Sequence, residues 1–103
     1  MEFEWDEKKA VLNYRKHKIK FEDAIHIFLR FTLEWEDNRH DYGESRFIAL
    51  GTFDGRVVCC VYTDRGDVRR IISAWKADSH EQRTYYTALS RYAAQGEDGL
   101  DGV

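Results

Sequence analysis

VRRIISAWKADSHEQRTYY, residues 68–86, reads as a strand that passes through a basic turn into a helix. Val68 to Trp75 is rich in β-branched and aromatic residues, the composition of a strand. Ser79-x-x-Gln82 has the form of a capping box and opens a helix to about Ala94. On that helix Tyr85, Ala88, Leu89 and Tyr92 recur at helical spacing and make an apolar stripe. Arg69, Arg70, Lys76, His80, Glu81, Tyr85 and Tyr86 all lie at or beside the junction. That inventory suits a polyanion, because it holds both charge stabilisers and groups able to move protons.

Working back toward the N-terminus, Asp64 to Asp67 reads as a turn, and VVCCVY (residues 57–62) is apolar on both faces, as a central strand is. Cys59 and Cys60 are neighbours in this strand and point to opposite faces, so they do not pair with each other. Asp54-Gly55 is a two-residue type I′ hairpin signal. It joins the strand Arg56 to Thr63 to a preceding strand, Arg46 to Phe53. Asn38 to Ser45 is polar and reads as a loop, and Thr32 to Trp35 could be a further strand.

Asp6 is a good N-cap for a helix to about His17, with Ala10, Asn13, Tyr14 and His17 on one face. Phe21, Ala24, Ile25 and Phe28 repeat the spacing on a second, shorter helix, and Phe3 to Trp5 suits a small edge strand. The order predicts an α+β domain: two N-terminal helices, a three- to four-stranded antiparallel sheet and a C-terminal helix, with the helices on one side. A single domain over residues 1–95 and an unstructured acidic tail over 96–103 are expected.

Charge sharpens the picture. The net charge is −3, but Glu97, Asp98 and Asp101 lie in the tail, and without them acids and bases balance. Bases cluster at Lys8, Lys9, Arg15, Lys16, Lys18 and Lys20, and again at Arg65, Arg69, Arg70 and Lys76. Acids cluster from Glu34 to Glu44. Such segregation makes an uneven surface potential, and an ordinary mixed surface is the alternative. No apolar run approaches a membrane span and no signal core is visible, so a soluble cytoplasmic protein without a membrane partner is expected. His26 and His40 stand apart from other ligand types, so neither a metal nor another cofactor is expected.

Four stretches together resemble the BrnT family of bacterial type II toxins, small ribonucleases grouped with the RelE-like architecture. They are FEWDEKKAVLNYRKHKIKFEDAIHIF (residues 3–28), YGESRFIALG (42–51), the DGR turn with its apolar strand (54–62), and RIISAWKA (70–77) followed by Glu81 and Tyr85. The chain departs from the family's common pattern in having Lys18 in place of Gly. It also has Trp75 followed by Lys76 where many members carry a second Arg. The resemblance implies a toxin that cleaves RNA without a metal and inhibits translation. It also implies a BrnA-type antitoxin partner, with DNA contacted only indirectly through the toxin–antitoxin complex.

Metal-independent RNA cleavage needs a base for the ribose 2′-hydroxyl, cations or N–H groups on the phosphoryl oxygens, and an acid for the leaving 5′-oxygen. Arg70, Arg46 and Lys76 are the candidate electrostatic set, and Glu81 and His17 the candidates for proton transfer. Lys16, Arg69, Trp75 and Tyr85 are candidates for holding RNA, with Trp75 stacking on a base. Several have a structural alternative. Arg46 could pair with Glu44, Arg70 with Glu81, and Tyr85 could belong to the core. His17 could make a cap-like bond, and Trp75 could cover the helix hairpin. A non-catalytic binding module or co-repressor that keeps the fold is the main functional alternative, and a gyrase inhibitor is a third.

Overall fold

The computed structural model describes the backbone of residues 1–101 and the side chains of residues 1–95. The helix expected to end at about Ala94 runs on to Asp101, into the stretch 96–103 expected to be an unstructured tail, and residues 102–103 lie outside the described residues. Chain order is β1 (Glu2–Glu4), α1 (Glu7–His17), α2 (Phe21–Ala24) continued by a 3-10 turn (Ile25–Leu29), β2 (Leu33–Glu36), β3 (Phe47–Phe53), β4 (Arg56–Arg65), β5 (Val68–Lys76) and α3 (Ser79–Asp101). The α+β class is as expected, but the sheet is larger than predicted. It has five strands in the order β1-β5-β4-β3-β2, and β1 lies parallel to β5 while the other pairs are antiparallel. A three-residue strand has too little periodicity to reveal its partner, which is why the mixed character was hidden.

Adjacent side chains of β4 go to opposite faces and build two cores. Val58, Cys60 and Tyr62 join Ile19, Phe21, Ala24, Ile27, Ala49, Ile71 and Ala74 beneath α1 and α2. Val57 and Cys59 join Leu50, Ala77 and Tyr85 beneath α3. The helices therefore cover both faces of the sheet, not one. Both cysteines are fully buried and unpaired. Gly51 lets the 3-10 turn approach β3, since a Cβ there would lie 2.6 Å from the Ile27 Cβ. The Asp54-Gly55 hairpin has φ of +52° and +73°, the left-handed pair that a type I′ turn requires.

Asn13 fastens α1 to the free edge of β5. Its side-chain amide donates to the Ala74 carbonyl at 2.9 Å and to the Ile19 carbonyl at 3.3 Å, and its Oδ1 accepts from the Ala74 N–H at 3.1 Å. β1 pairs only with the first residues of β5, so the buried amide stands in for the missing neighbour strand. The α1 stripe is narrower than the spacing predicts, because Tyr14 is exposed. Lys18 ends α1 in the left-handed conformation, at φ +61°, and donates its N–H to the Tyr14 carbonyl at 2.8 Å.

Helix α3 starts one residue earlier than the Ser79/Gln82 capping box implies. The Asp78 carboxylate accepts from the Glu81 N–H at 2.7 Å, and the Glu81 carboxylate accepts from the Asp78 N–H at 2.9 Å. This reciprocal pair is the capping box, with Asp78 as the N-cap.

Candidate functional site

The sheet register sorts the predicted residues into two groups. Thr63 of β4 faces Arg70 of β5, Arg70 faces Glu4 of β1, and the Phe47–Tyr62 pair sets Arg46 opposite Thr63. Glu4, Arg70, Thr63 and Arg46 thus form one row on the side of the sheet away from α1. The next row holds Ser73, Val61, Ile48 and Trp35, and the third holds Trp75, Cys59, Leu50 and Leu33. Helix α3 packs on the third row and below. Ile48 and Val61 belong to neither helix-covered core, yet they keep only 6% and 3% exposure. The long side chains that the register sets around them are Trp35, Arg46 and Arg70.

Arg46 and Arg70 sit two strands apart, about 10 Å between backbones. Both are loosely held. Arg70 Nη1 lies 3.3 Å from the Glu4 carboxylate, and Arg46 Nη2 lies 3.7 Å from that of Glu44. Glu44 also draws Arg65, at 3.5 Å. The Arg46 Nε–H is buried with no acceptor among the described residues. Its guanidinium lies 4.0 Å from the centre of the Tyr42 ring. The Tyr42 hydroxyl donates to Asp37 at 3.2 Å, and Asp37 also accepts two bonds from the Arg39 guanidinium, both at 2.8 Å. Those Arg39 bonds hold the buried Asp37 carboxyl well below the usual carboxylate range. The loop before β3 is therefore a bracket that fixes Arg46 from below.

At the lower end of this face, the His17 ring lies 6.3 Å from the Trp75 ring, and Glu81 comes up from the start of α3. Burial, and then the approach of Glu81, push the Cys59 thiol far above its ordinary range. Arg70 and Trp75 are about 15 Å apart along β5. Trp75 shares the face of the arginine row, but the row and the His17–Trp75 contact at the end of α1 do not touch.

Other predicted residues lie elsewhere. Arg69 faces α2, donates to Asp64 at 2.8 and 3.0 Å, and stacks over Tyr62 at 3.9 Å and Phe28 at 4.8 Å. The Tyr62 hydroxyl in turn donates to Glu34, and burial followed by that bond raises the phenol's pKa. Arg69 is thus held within the structure by Asp64, Tyr62 and Phe28. Lys76 pairs with Val58, so it lies on the α1 side at the far end of β5 from Arg70. It shares a cleft of about 190 Å³ with Lys18, Asp23, Asp54 and Arg56. The convergence of Arg70 and Lys76 expected from the sequence does not occur. Tyr85 is buried, and its hydroxyl donates to the Phe31 carbonyl at 3.1 Å, so it belongs to the core. Lys16 is exposed on the last turn of α1. Arg70 pairs with Glu4 and not with Glu81, and the Arg46–Glu44 pair is present.

Sequence reasoning passed over Thr63, Ser73, Trp35, Tyr42 and Asp37. Alternation from Leu33 could have flagged Trp35, whereas the Asp37–Tyr42–Arg46 bracket has no periodic signal. Among the described residues no three His, Cys, Asp or Glu side chains cluster as metal ligands. No described helix is long and apolar enough to cross a membrane.

A search of curated proteins finds no match to the chain. A family model described as "Ribonuclease toxin, BrnT, of type II toxin-antitoxin system" matches residues 5–81. That span takes in α1 and every strand of the sheet except β1, and it includes Arg46, Thr63, Arg70 and Trp75. The chain belongs to the BrnT family of ribonuclease toxins of type II toxin–antitoxin systems.

Proposed function

We propose that this chain is a metal-independent endoribonuclease of the cytoplasm, a single toxin domain of RelE-like architecture that inhibits translation until a BrnA-type antitoxin neutralises it. The observation that supports this most is the Arg46–Thr63–Arg70 row. Two half-buried guanidiniums, each with a long ion pair and that of Arg46 also lying on the Tyr42 ring, stand on the part of this sheet face that α3 leaves uncovered. Arginine's planar fork suits a phosphodiester, and it is more weakly hydrated than an ammonium. In cleavage, a base takes the ribose 2′-hydroxyl proton and the 2′-oxygen attacks phosphorus. The 5′-oxygen leaves with a proton, giving a 2′,3′-cyclic phosphate and a 5′-hydroxyl. Arg46 and Arg70 would stabilise charge on the phosphoryl oxygens, whereas the candidates for proton transfer, His17 and Glu81, stand about 15 Å along the strand and do not reach the same phosphate.

The test is purified chain with end-labelled RNA in the presence of a chelator. Cleavage with cyclic-phosphate ends, lost in Arg70→Ala while folding is retained, is the expected result. Cleavage abolished by the chelator and restored by a divalent ion would overturn metal independence. A second reading, a binding module or co-repressor without activity, draws support from two contacts. Glu81 is occupied as a capping residue, and Trp75, at the position of the family's second Arg, packs beside His17. Well-folded wild-type chain that binds RNA or antitoxin without cutting would establish that reading instead.

A further inference from the structure

The molecule has three tryptophans, and two are engaged. The Trp5 ring packs edge-on against Phe21 and its indole N–H donates to Glu7 at 3.2 Å, while Trp75 lies beside His17. Trp35 has none of this. It makes no ring pair and no indole hydrogen bond among the described residues, and 40% of it is exposed. It stands on the edge strand β2, opposite Ile48, in the row directly beside Arg46, Thr63 and Arg70.

Alternation turns the two acids of Leu33–Glu36 away from this ring. Glu34 goes to the opposite face, where it accepts from Tyr62 and from Thr32. Glu36, also next to Trp35, points the same way as Glu34. The ring is therefore presented with no carboxylate of its own strand beside it. Arg46 is two residues from Ile48, which makes it the diagonal neighbour of Trp35, about 7–8 Å away between backbones. That span is comparable to the distance from a base to the phosphate of its own nucleotide.

We infer that Trp35 is the platform for one unstacked base, that of the nucleotide whose phosphate rests on Arg46. This rests on the reading of the uncovered face as the RNA site, and it deepens that reading by assigning single-stranded RNA as the ligand. An aromatic face takes any base, so the platform sets strandedness and register without fixing sequence. A base inside a duplex offers no free face and cannot be held this way.

The experiment uses a short single-stranded RNA, 2′-O-methylated throughout to block cleavage and labelled for anisotropy. It also uses the same RNA with one abasic nucleotide moved along its length, and the RNA annealed to its complement. Trp35→Ala weakens single-strand binding by about 5- to 150-fold, the loss of one base–aromatic stack. Trp35→Phe recovers most of it, and Trp35→Leu, which keeps an apolar cover without an aromatic face, does not. At one position the abasic nucleotide weakens wild type but no longer weakens Trp35→Leu, and the duplex binds wild type and Trp35→Leu alike. Two results overturn the inference. One is a wild type indifferent to abasic substitution at every position, which needs no variant to fold. The other is Trp35→Leu binding the single strand as tightly as wild type. Arg46→Ala and Arg70→Ala separate the levels. If they weaken binding and the tryptophan variants do not, only the platform fails; if they also bind normally, the RNA face itself is misplaced.

Discussion

Arg69 and Arg70 are consecutive residues of one strand, yet they lead different lives. Arg69 is clamped: two short bonds to Asp64 and two aromatic rings leave its side chain 14% exposed. Arg70 faces the other way, keeps 31% of its side chain in solvent, and has only a 3.3 Å contact to Glu4. The pleat alone decides this. On the α1 and α2 side, no buried side-chain polar atom of the described residues lacks a hydrogen-bond partner. On the other side, α3 stops short of two rows, and guanidiniums are left there with long ion pairs and one unmatched N–H. One face is internally paired, and the other leaves charged groups free to meet a ligand in the proposed function.

The largest expected effect separates those roles. Arg70→Ala should lower kcat/KM for RNA about 100- to 1000-fold, as loss of one transition-state donor does. It should shift stability by less than about 1 kcal/mol, because its pair with Glu4 is long and partly in solvent. Cleavage kinetics with urea melts check both numbers, and a large stability loss would erase the distinction. Next comes Asn13→Ala on the built side. It strands the Ala74 N–H and carbonyl at a buried edge and should cost about 2–4 kcal/mol, read by denaturant midpoint. Arg69→Ala should cost about 2 kcal/mol, less than Asn13 because the abandoned Asp64 can reach water. Its activity at a temperature where it stays folded should be within a few-fold of wild type.

The smallest effect tests the bracket under Arg46. The folded-state pKa of Asp37 is depressed, first by the Arg39 hydrogen bonds, so its contribution is present above the unfolded carboxylate pKa and is lost as pH falls through the folded value. Asp37→Asn should therefore be less stable than wild type by about 1 kcal/mol at pH 7. The gap should narrow below about pH 4, where unfolded carboxylates protonate. Thermal melts across pH 2.5 to 7 measure it (about one melt per half unit suffices). A gap that widened in acid would contradict the assignment.

Much of this was legible beforehand. The hairpin at Asp54-Gly55, the extent of α1, the two-faced strand β4 and the opposite burial of Cys59 and Cys60 all follow from local pattern. Of the candidates Arg46, Arg70, His17, Trp75 and Glu81, the sheet register puts Arg46, Arg70 and Trp75 on one face, while His17 and Glu81 stand on the helices α1 and α3. What could not be read was which neighbour stands across the sheet. The bulge at Val61/Tyr62 shifts the β4–β5 register, and only coordinates reveal it. Counting along β5 without regard to faces joined Arg70 to Lys76, which the pleat and about 20 Å of strand keep apart. Glu81 looked free for chemistry because the box was read one residue late; Asp78 accepts the Glu81 N–H and is itself bonded in return. Trp35 escaped notice because β2 is short and its role depends entirely on what lies beside it.

Backbone amide NMR of the labelled chain, titrated with the uncleavable single-stranded RNA, tests the division of the two faces most directly. The shifts should concentrate at Trp35, Ile48, Thr63, Arg70 and Ser73, with Phe21, Ala24 and Phe28 on the α2 side unmoved. Perturbations centred on α1, α2 and the Lys76 cleft, with the Arg46–Thr63–Arg70 row silent, would contradict it.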